Sequence, residues 1–206
     1  DVDKRWAFEE SMRMPFIVRY PKEIEANSIN KDIINNVDFA PTILDFASAK
    51  TPDAMQGRSF RQNLAGNTPE DWRQSTYYRY WMHRAHHDIP AHYAIRTQRY
   101  KLIFYYGLAL HPRMDEIWAH GPGEDINEAN LHQVSSWGAI KPEATPARLE
   151  LFDLEKDLYE QQNVYNDPAY ASVVKELKQQ LLELKEEVGD DDSLYPELMN
   201  RRSQVW

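Results

Sequence analysis

The stretch Tyr93-Ala94-Ile95-Arg96-Thr97-Gln98-Arg99-Tyr100-Lys101-Leu102-Ile103-Phe104-Tyr105 decides the fold of this 206-residue chain. It contains two aromatic and β-branched segments, a composition typical of strands. Only Gln98 and Arg99 separate them, which predicts a tight hairpin. Residues 76–81 and 149–154 have a similar composition and predict two further strands. Since consecutive strands follow one another without helices between them, we expect an antiparallel sheet.

A helical pattern of apolar residues follows the last predicted strand. Apolar residues recur there at spacings of four and three, which places them on one face of a helix. They are Tyr170, Val174, Leu177, Leu181, Leu184 and Val188. Asp167-Pro168 predicts the start of this helix and Gly189 its end. A stripe this narrow normally packs on a sheet, so we expect the helix to cover the predicted one.

The first fifty residues follow a different pattern. Residues 15–21 form an apolar run bounded by prolines, which predicts a buried strand after a helical segment at residues 9–14. Apolar residues at helical spacing then occupy residues 33–49. Pro41 favours a helix start over a helix interior, with Asp38 as the expected cap. A strand followed by a helix is half of an α/β repeat.

The composition excludes several classes of function. Lys and Arg number 24 against 33 Asp and Glu, a formal net charge of −9, which argues against binding nucleic acid or an anionic membrane surface. The chain has no cysteine, so disulfides, thiolate metal sites and a cysteine nucleophile are excluded within it. No apolar run approaches the length of about 18 residues that a membrane span needs.

Five segments, in this order, resemble landmarks of the sulfatases. The first has a lysine, then Glu, Arg-x-Pro and a hydrophobic segment, like the downstream sulfatase signature. The segments are Lys4-Arg5-Trp6-Ala7-Phe8-Glu9-Glu10-Ser11-Met12-Arg13-Met14-Pro15-Phe16-Ile17, residues 36–45, Gly57-Arg58-Ser59-Phe60, residues 92–103 and residues 151–157. The last two resemble the C-terminal subdomain of sugar sulfatases.

This resemblance implies an α/β protein that is the C-terminal portion of an alkaline-phosphatase-like sulfatase fold. Residues 1–70 would end the α/β core domain. Residues 71–189 would form a small antiparallel sheet packed by a long C-terminal helix, and residues 190–206 a tail. The missing N-terminal sulfatase half is then the expected partner of this chain.

The resemblance also implies the removal of sulfate from a sulfated carbohydrate by a periplasmic or secreted enzyme. The formylglycine of the family arises from Cys or Ser before x-Pro-x-Arg, a pattern that this chain lacks. The family's calcium ligands also lie upstream of the segment that begins at Lys4. We therefore expect calcium in the complete enzyme, no metal on this chain alone, and no sulfate ester hydrolysis by this chain alone.

The resemblance assigns Lys4 a catalytic role, as an ammonium that contacts the oxygens of the sulfate. His92, His86 and Arg96 are the candidates for substrate binding, through hydrogen bonds to sugar hydroxyls or a bidentate contact with an acidic group. For His92 the alternative is a satisfied histidine at a strand start, and for Arg96 an anchor of the hairpin. A zinc site among the clustered histidines is disfavoured because the neighbouring residues indicate strand and loop rather than a helix.

Two alternative functions stay open from the sequence. One is a phosphodiesterase or phosphonate hydrolase of the same superfamily, which a different nucleophile upstream would distinguish. The other is a non-catalytic carbohydrate-binding module, which would bind sulfated sugars without any further domain.

Overall fold

A computed structural model describes residues 5–84, 88–110 and 143–206. The chain forms two compact units: residues up to Met14 together with Tyr77–Trp206, and Pro15–Thr76. The division at residues 70 and 189 stays a prediction. The elements are, in chain order, helices α1 (Glu9–Met12), α2 (Phe39–Phe46) and α3 (Arg61–Leu64), strands β1 (Ser75–Tyr80), β2 (His92–Thr97), β3 (Tyr100–Tyr105) and β4 (Arg148–Asp153), and helices α4 (Ala171–Glu187) and α5 (Pro196–Val205). None of these helices is long and apolar enough to cross a membrane.

The four strands form one sheet in the order β1-β2-β3-β4. β2 and β3 form an antiparallel hairpin that is connected by Gln98 and Arg99, with His92 opposite Tyr105. β3 also pairs antiparallel with β4. The predicted hairpin and antiparallel sheet are therefore confirmed. Because side chains alternate between the faces of a strand, residues two apart along β2 and β3 share a face.

Helices α4 and α5 cover one face of the sheet. The core on this face joins sheet residues to leucines of both helices, and its fully buried members include Tyr93, Ile95, Leu102, Phe104, Leu151, Leu181 and Leu198. The predicted helix packs here, and Gly189 ends it with a φ of +70°, a conformation that glycine adopts without strain. Val188 is 60% exposed because the buried stripe ends before it.

The segment 5–12 covers the other face of the sheet. Ala7 is buried there among Ala94, Ile103, Tyr105 and other side chains, with Trp6, Phe8 and Tyr78 at the margin of this core. Helix α1 forms the last part of this segment. The sequence predicts a helix at residues 9–14, and the observed helix ends at Met12. Both faces of the sheet are thus occupied within this unit.

A cluster of charged side chains is buried on each face. On the face covered by segment 5–12, the Lys101 cluster consists of Glu9, Arg96, Lys101 and Glu160. On the face covered by α4 and α5, the Asp192 cluster consists of Arg79, Lys185, Asp190, Asp192 and Arg202. Each cluster joins residues that are far apart in the sequence. Opposite charges lie beside one another in each cluster, because a charge removed from water is costly unless it is paired.

The outer edge of β4 carries hydrogen bonds from the segment that follows it. The side-chain amide of Asn163 accepts from the Leu151 N–H at 3.0 Å and donates to the Leu149 carbonyl at 3.3 Å. The Val164 N–H donates to the Leu151 carbonyl at 2.9 Å. Asn163 therefore uses its amide oxygen and nitrogen as a neighbouring strand would use its backbone.

The predicted buried strand at residues 15–21 is wrong. These residues are not in a strand, and Ile17 is 92% exposed. A strand needs a neighbour to pair its N–H and C=O groups, and within the described part of Pro15–Thr76 none lies beside this run. The apolar run therefore indicates a surface suited to burial rather than one that this chain buries.

Asp38 organises the rest of Pro15–Thr76. Its carboxylate is buried and accepts hydrogen bonds from the N–H groups of Asn35 and Arg58 and from the guanidinium of Arg73. It occupies the N-cap position of α2, as predicted, but its side chain does not cap that helix. At Gly57, an added Cβ would lie 2.0 Å from the Val37 carbonyl oxygen, so only glycine fits this approach.

Candidate functional site

The candidate site residues fall into two groups. Lys4 and His86 lie outside the described residues. His92 and Arg96 lie on β2, with side chains on the face covered by segment 5–12. The site can therefore be built from the residues that follow Lys4 and from the sheet beneath them.

Tyr78 holds the backbone of the residue directly after Lys4. Its hydroxyl donates to the Arg5 carbonyl oxygen at 2.8 Å. Burial raises the pKa of Tyr78 to about 12, so the hydroxyl keeps its proton and acts as a donor at neutral pH. The sheet thus has a direct hydrogen bond to the chain one residue past Lys4.

Trp6 packs on aromatic rings of the sheet. Its ring lies 6.1 Å from that of His92 at an interplanar angle of 25°, and 6.0 Å from that of Tyr105 at 62°. The Phe8 ring also stacks on Trp6, at a centroid distance of 5.7 Å. Contacts of this kind add to the free energy gained by burying the rings. Together with the Tyr78 hydrogen bond, they fix segment 5–8 on the sheet.

His92 is a buried, neutral imidazole. It has no exposed surface, and the Pro90 carbonyl 2.7 Å from Nδ1 can only accept, so Nδ1 carries the proton. Nε2 has no hydrogen-bond partner among the described residues, and the imidazole ring lies among the rings of Trp6, Tyr78, Tyr80 and Tyr105. Burial lowers the pKa of His92 to about 4. The burial and ring packing agree with a structural role, but the unpartnered Nε2 means that His92 is not fully satisfied among the described residues; its role in substrate binding stays a prediction.

We expect the pH dependence of stability to report this burial. An unfolded histidine titrates near 6.5, so the depressed folded pKa of about 4 means that the stabilisation is complete above pH 6.5. It is lost as the pH falls toward 4, by up to about 3 kcal/mol. Urea unfolding between pH 7 and 4, compared with His92→Phe, measures this contribution. An identical pH dependence in the two proteins would contradict it.

Arg96 is engaged by a carboxylate. Its Nε and Nη2 atoms donate to the two carboxylate oxygens of Glu9 at 3.3 and 3.1 Å. Burial would raise the pKa of Glu9, but the hydrogen bonds of Arg96 and the charge of Lys101 outweigh it and hold the pKa below its usual value. Arg96 thus ties α1 to the hairpin, in agreement with the anchoring alternative, and a contact with substrate stays a prediction.

His83 uses both ring nitrogens for structure. Nδ1 accepts from the Ala91 N–H at 3.1 Å, so Nε2 carries the proton and donates to the Glu143 carbonyl at 3.0 Å. Burial lowers the pKa of this histidine as well. In the described ranges, no three His, Asp or Glu side chains are grouped so that they could hold a metal ion.

The contacts of Trp6 and Tyr78 are not among the sequence-based predictions. A signal for Tyr78 is present in β1, where Tyr78 and Tyr80 alternate with Tyr77 and Arg79. That alternation assigns Tyr78 and Tyr80 to one face of the sheet. It does not indicate which segment of the chain covers that face.

Comparison with known proteins identifies the family. The model of the family described as N-sulphoglucosamine sulphohydrolase, C-terminal, matches residues 2–119, more than half of the chain. The chain belongs to this sulfatase family. The resemblance derived from five short segments is therefore confirmed.

Two curated relatives align with nearly all of this sulfatase C-terminal region. An N-acetylglucosamine-6-O-sulfatase from Bacteroides thetaiotaomicron is 38% identical over 192 residues, which are 92% of this chain and 28% of the relative. An ulvan-active sulfatase from Formosa agariphila is 28% identical over 211 residues, covering 97% of this chain and 33% of the relative. The chain therefore spans a third or less of the length of these relatives.

A solved structure confirms the fold of this sulfatase region. BT4656, in complex with its substrate D-glucosamine-2-N,6-O-disulfate, superposes with a TM-score of 0.70 and 36% identity over 94% of this chain and 32% of BT4656. The sheet and its long helix are thus the C-terminal portion of the sulfatase fold, as predicted. Neither the phosphate or phosphonate hydrolase nor the standalone binding module is favoured by these comparisons.

Proposed function

We propose that this chain is the C-terminal part of an enzyme that removes sulfate from a sulfated glucosamine or a glycan containing it. The observation that carries the proposal is the similarity over 92% of the chain to an N-acetylglucosamine-6-O-sulfatase. The similarity to BT4656, whose bound substrate is a disulfated glucosamine, supports the same substrate class. From the resemblance to glycan sulfatases, we also propose that the enzyme is periplasmic or secreted.

Lys4 would supply positive charge to the sulfate. In sulfate ester cleavage, charge spreads over the non-bridging oxygens and the departing oxygen, so fixed cations stabilise the transition state, as in phosphoryl transfer. A lysine ammonium is a compact charge with three donors on a long side chain. The Tyr78 hydrogen bond and the Trp6 stacking, which hold the segment next to Lys4, support this role.

The remaining parts of the active site would come from an N-terminal sulfatase half. Among the described residues, no three His, Asp or Glu side chains are grouped so that they could hold a calcium ion. We therefore assign the calcium ligands and the formylglycine nucleophile to sequence upstream of Lys4 and derive no step through either.

The test is sulfate release by the full-length protein carrying these residues. With glucosamine 6-O-sulfate as the probe, Lys4→Ala is expected to lower kcat/KM on the order of a hundredfold or more without changing the unfolding temperature. Lys22→Ala, which removes an exposed lysine, serves as the matched control and should leave kcat/KM unchanged. The 206-residue chain by itself should release no sulfate.

Two results would contradict this proposal. Full activity of Lys4→Ala would remove the role of Lys4. Hydrolysis of a phosphate diester or a phosphonate ester by the full-length protein, without sulfate release from any sulfated glucosamine, would remove the reaction.

A further inference from the structure

We propose that Trp6 and Tyr78 are positioning residues that hold Lys4 where it can contact the sulfate. The inference rests on the proposed function, because it depends on Lys4 being a catalytic cation. The Tyr78 hydroxyl donates its proton to the Arg5 carbonyl and the Trp6 ring packs on the rings of His92 and Tyr105, so we expect both side chains to act on the sulfate through the segment that follows Lys4.

The hydrogen bond of Tyr78 acts nearest to Lys4. It ends on the Arg5 carbonyl, 2.8 Å from the tyrosine oxygen, within the residue that directly follows the lysine. Tyr78 itself lies on β1, which is hydrogen bonded to β2 in the sheet. The backbone beside Lys4 is therefore tied to a strand by a single directional contact.

The stacking of Trp6 acts one residue further along. The two rings beneath Trp6 belong to His92 and Tyr105, which are direct partners across β2 and β3. His92 is itself held by its hydrogen bond to the Pro90 carbonyl. Ala7, next to Trp6, is buried in the same core. Segment 5–8 thus rests on side chains of β2 and β3. Neither strand can shift relative to the other without breaking the hydrogen bonds of the hairpin.

Such support matters because a lysine side chain is long and flexible. A cation stabilises a transition state only if its position is fixed before the reaction, and a displacement of 1 Å can cost on the order of a hundredfold in rate. Loss of Trp6 or of the Tyr78 hydroxyl is therefore expected to lower kcat, because a displaced Lys4 ammonium would stabilise the transition state less.

A double-mutant cycle in the full-length protein separates positioning from a general effect on folding. Trp6→Leu should lower kcat for glucosamine 6-O-sulfate about tenfold or more, and Tyr78→Phe about threefold to tenfold. In a Lys4→Ala background, both substitutions should have no further effect on kcat. Trp6→Phe keeps a stacking ring and should recover most of the activity, which keeps the test informative if Trp6→Leu folds poorly.

Tyr165→Phe is the matched control for Tyr78→Phe. It also removes a hydroxyl that donates to a backbone carbonyl, that of Val205 at 3.1 Å, and should leave kcat unchanged. The positioning role is overturned if Trp6→Leu and Tyr78→Phe leave kcat unchanged, or if they lower it equally in the presence and absence of Lys4. Full activity of Lys4→Ala alone would instead overturn the proposed function, and this inference with it.

Discussion

Replacement of Lys101 by methionine is expected to lower the free energy of unfolding by about 3 to 5 kcal/mol. The ammonium is 1% exposed and lies 2.9 Å from a carboxylate oxygen of Glu9 and 2.8 Å from one of Glu160. Methionine fills a similar volume but leaves two buried carboxylates with only Arg96 beside Glu9. Burial already raises the pKa of Glu160 in spite of the Lys101 charge. Without that charge, the ionised form of Glu160 would be destabilised further.

Urea unfolding at pH 7 measures the loss. Lys156→Met is the matched control, because Lys156 also lies near a carboxylate, 3.7 Å from Asp153, but is mostly exposed; it should change stability little. Adding Glu160→Gln to Lys101→Met should recover part of the loss, since it removes the uncompensated charge. If Lys101→Met were as stable as the wild type, the Lys101 cluster would have no part in holding segment 5–12 on the sheet.

Asp192→Asn is expected to destabilise the protein by about 3 kcal/mol. One carboxylate oxygen of Asp192 lies 2.9 Å from Lys185 and 3.2 Å from Arg79, and the other lies 2.7 Å from Arg202. The substitution keeps the shape of the side chain but leaves Arg79 and Lys185 with Asp190 alone, and it removes the carboxylate that pairs with Arg202. Burial already lowers the pKa of Lys185, so losing a counter-charge favours its neutral form.

Asp191→Asn provides the control at the neighbouring position. Asp191 is exposed and its carboxylate accepts hydrogen bonds from the N–H and hydroxyl of Ser193, a task that asparagine performs as well. Both substitutions remove one negative charge, so a difference between their unfolding midpoints isolates the effect of burial. Equal midpoints would show that the Asp192 cluster does not stabilise the packing of α5 on the sheet.

The sheet and the long helix could be predicted because their signals are local. The two-residue connection at Gln98 and Arg99 allows little besides a hairpin, and the apolar stripe of α4 fixes the face that packs on it. The order of five short segments identified the family although each segment alone is a weak signal. In the first two cases residues close in the sequence carry the information, and in the third each segment is local while their order spans most of the chain.

The strand at residues 15–21 could not be predicted correctly from the same kind of signal. An apolar run indicates that a segment is suited to burial, but a strand also needs a partner, and pairing is a non-local property. The Lys101 cluster was hidden for the same reason, since the Glu9 N–H and the Glu160 carboxylate that accepts from it are 151 residues apart. A buried lysine looks in the sequence like any other lysine.

The candidate site was predictable only in part. The family resemblance selected Lys4 and the strand that carries His92 and Arg96. The sequence could not tell that the His92 ring lies beneath Trp6 instead of at the surface, because alternation along β2 gives the face of a side chain and not what covers it.

Asn163 has a consequence for how molecules of this protein meet one another. An open strand edge presents unpaired donors and acceptors that can recruit another polypeptide, and this is a common route to self-association and fibril growth. Because the amide of Asn163 and the N–H of Val164 already occupy the Leu149 and Leu151 positions, β4 does not offer them to a second molecule. One polar side chain and the backbone beside it thereby disfavour edge-to-edge pairing of β4 with a second molecule.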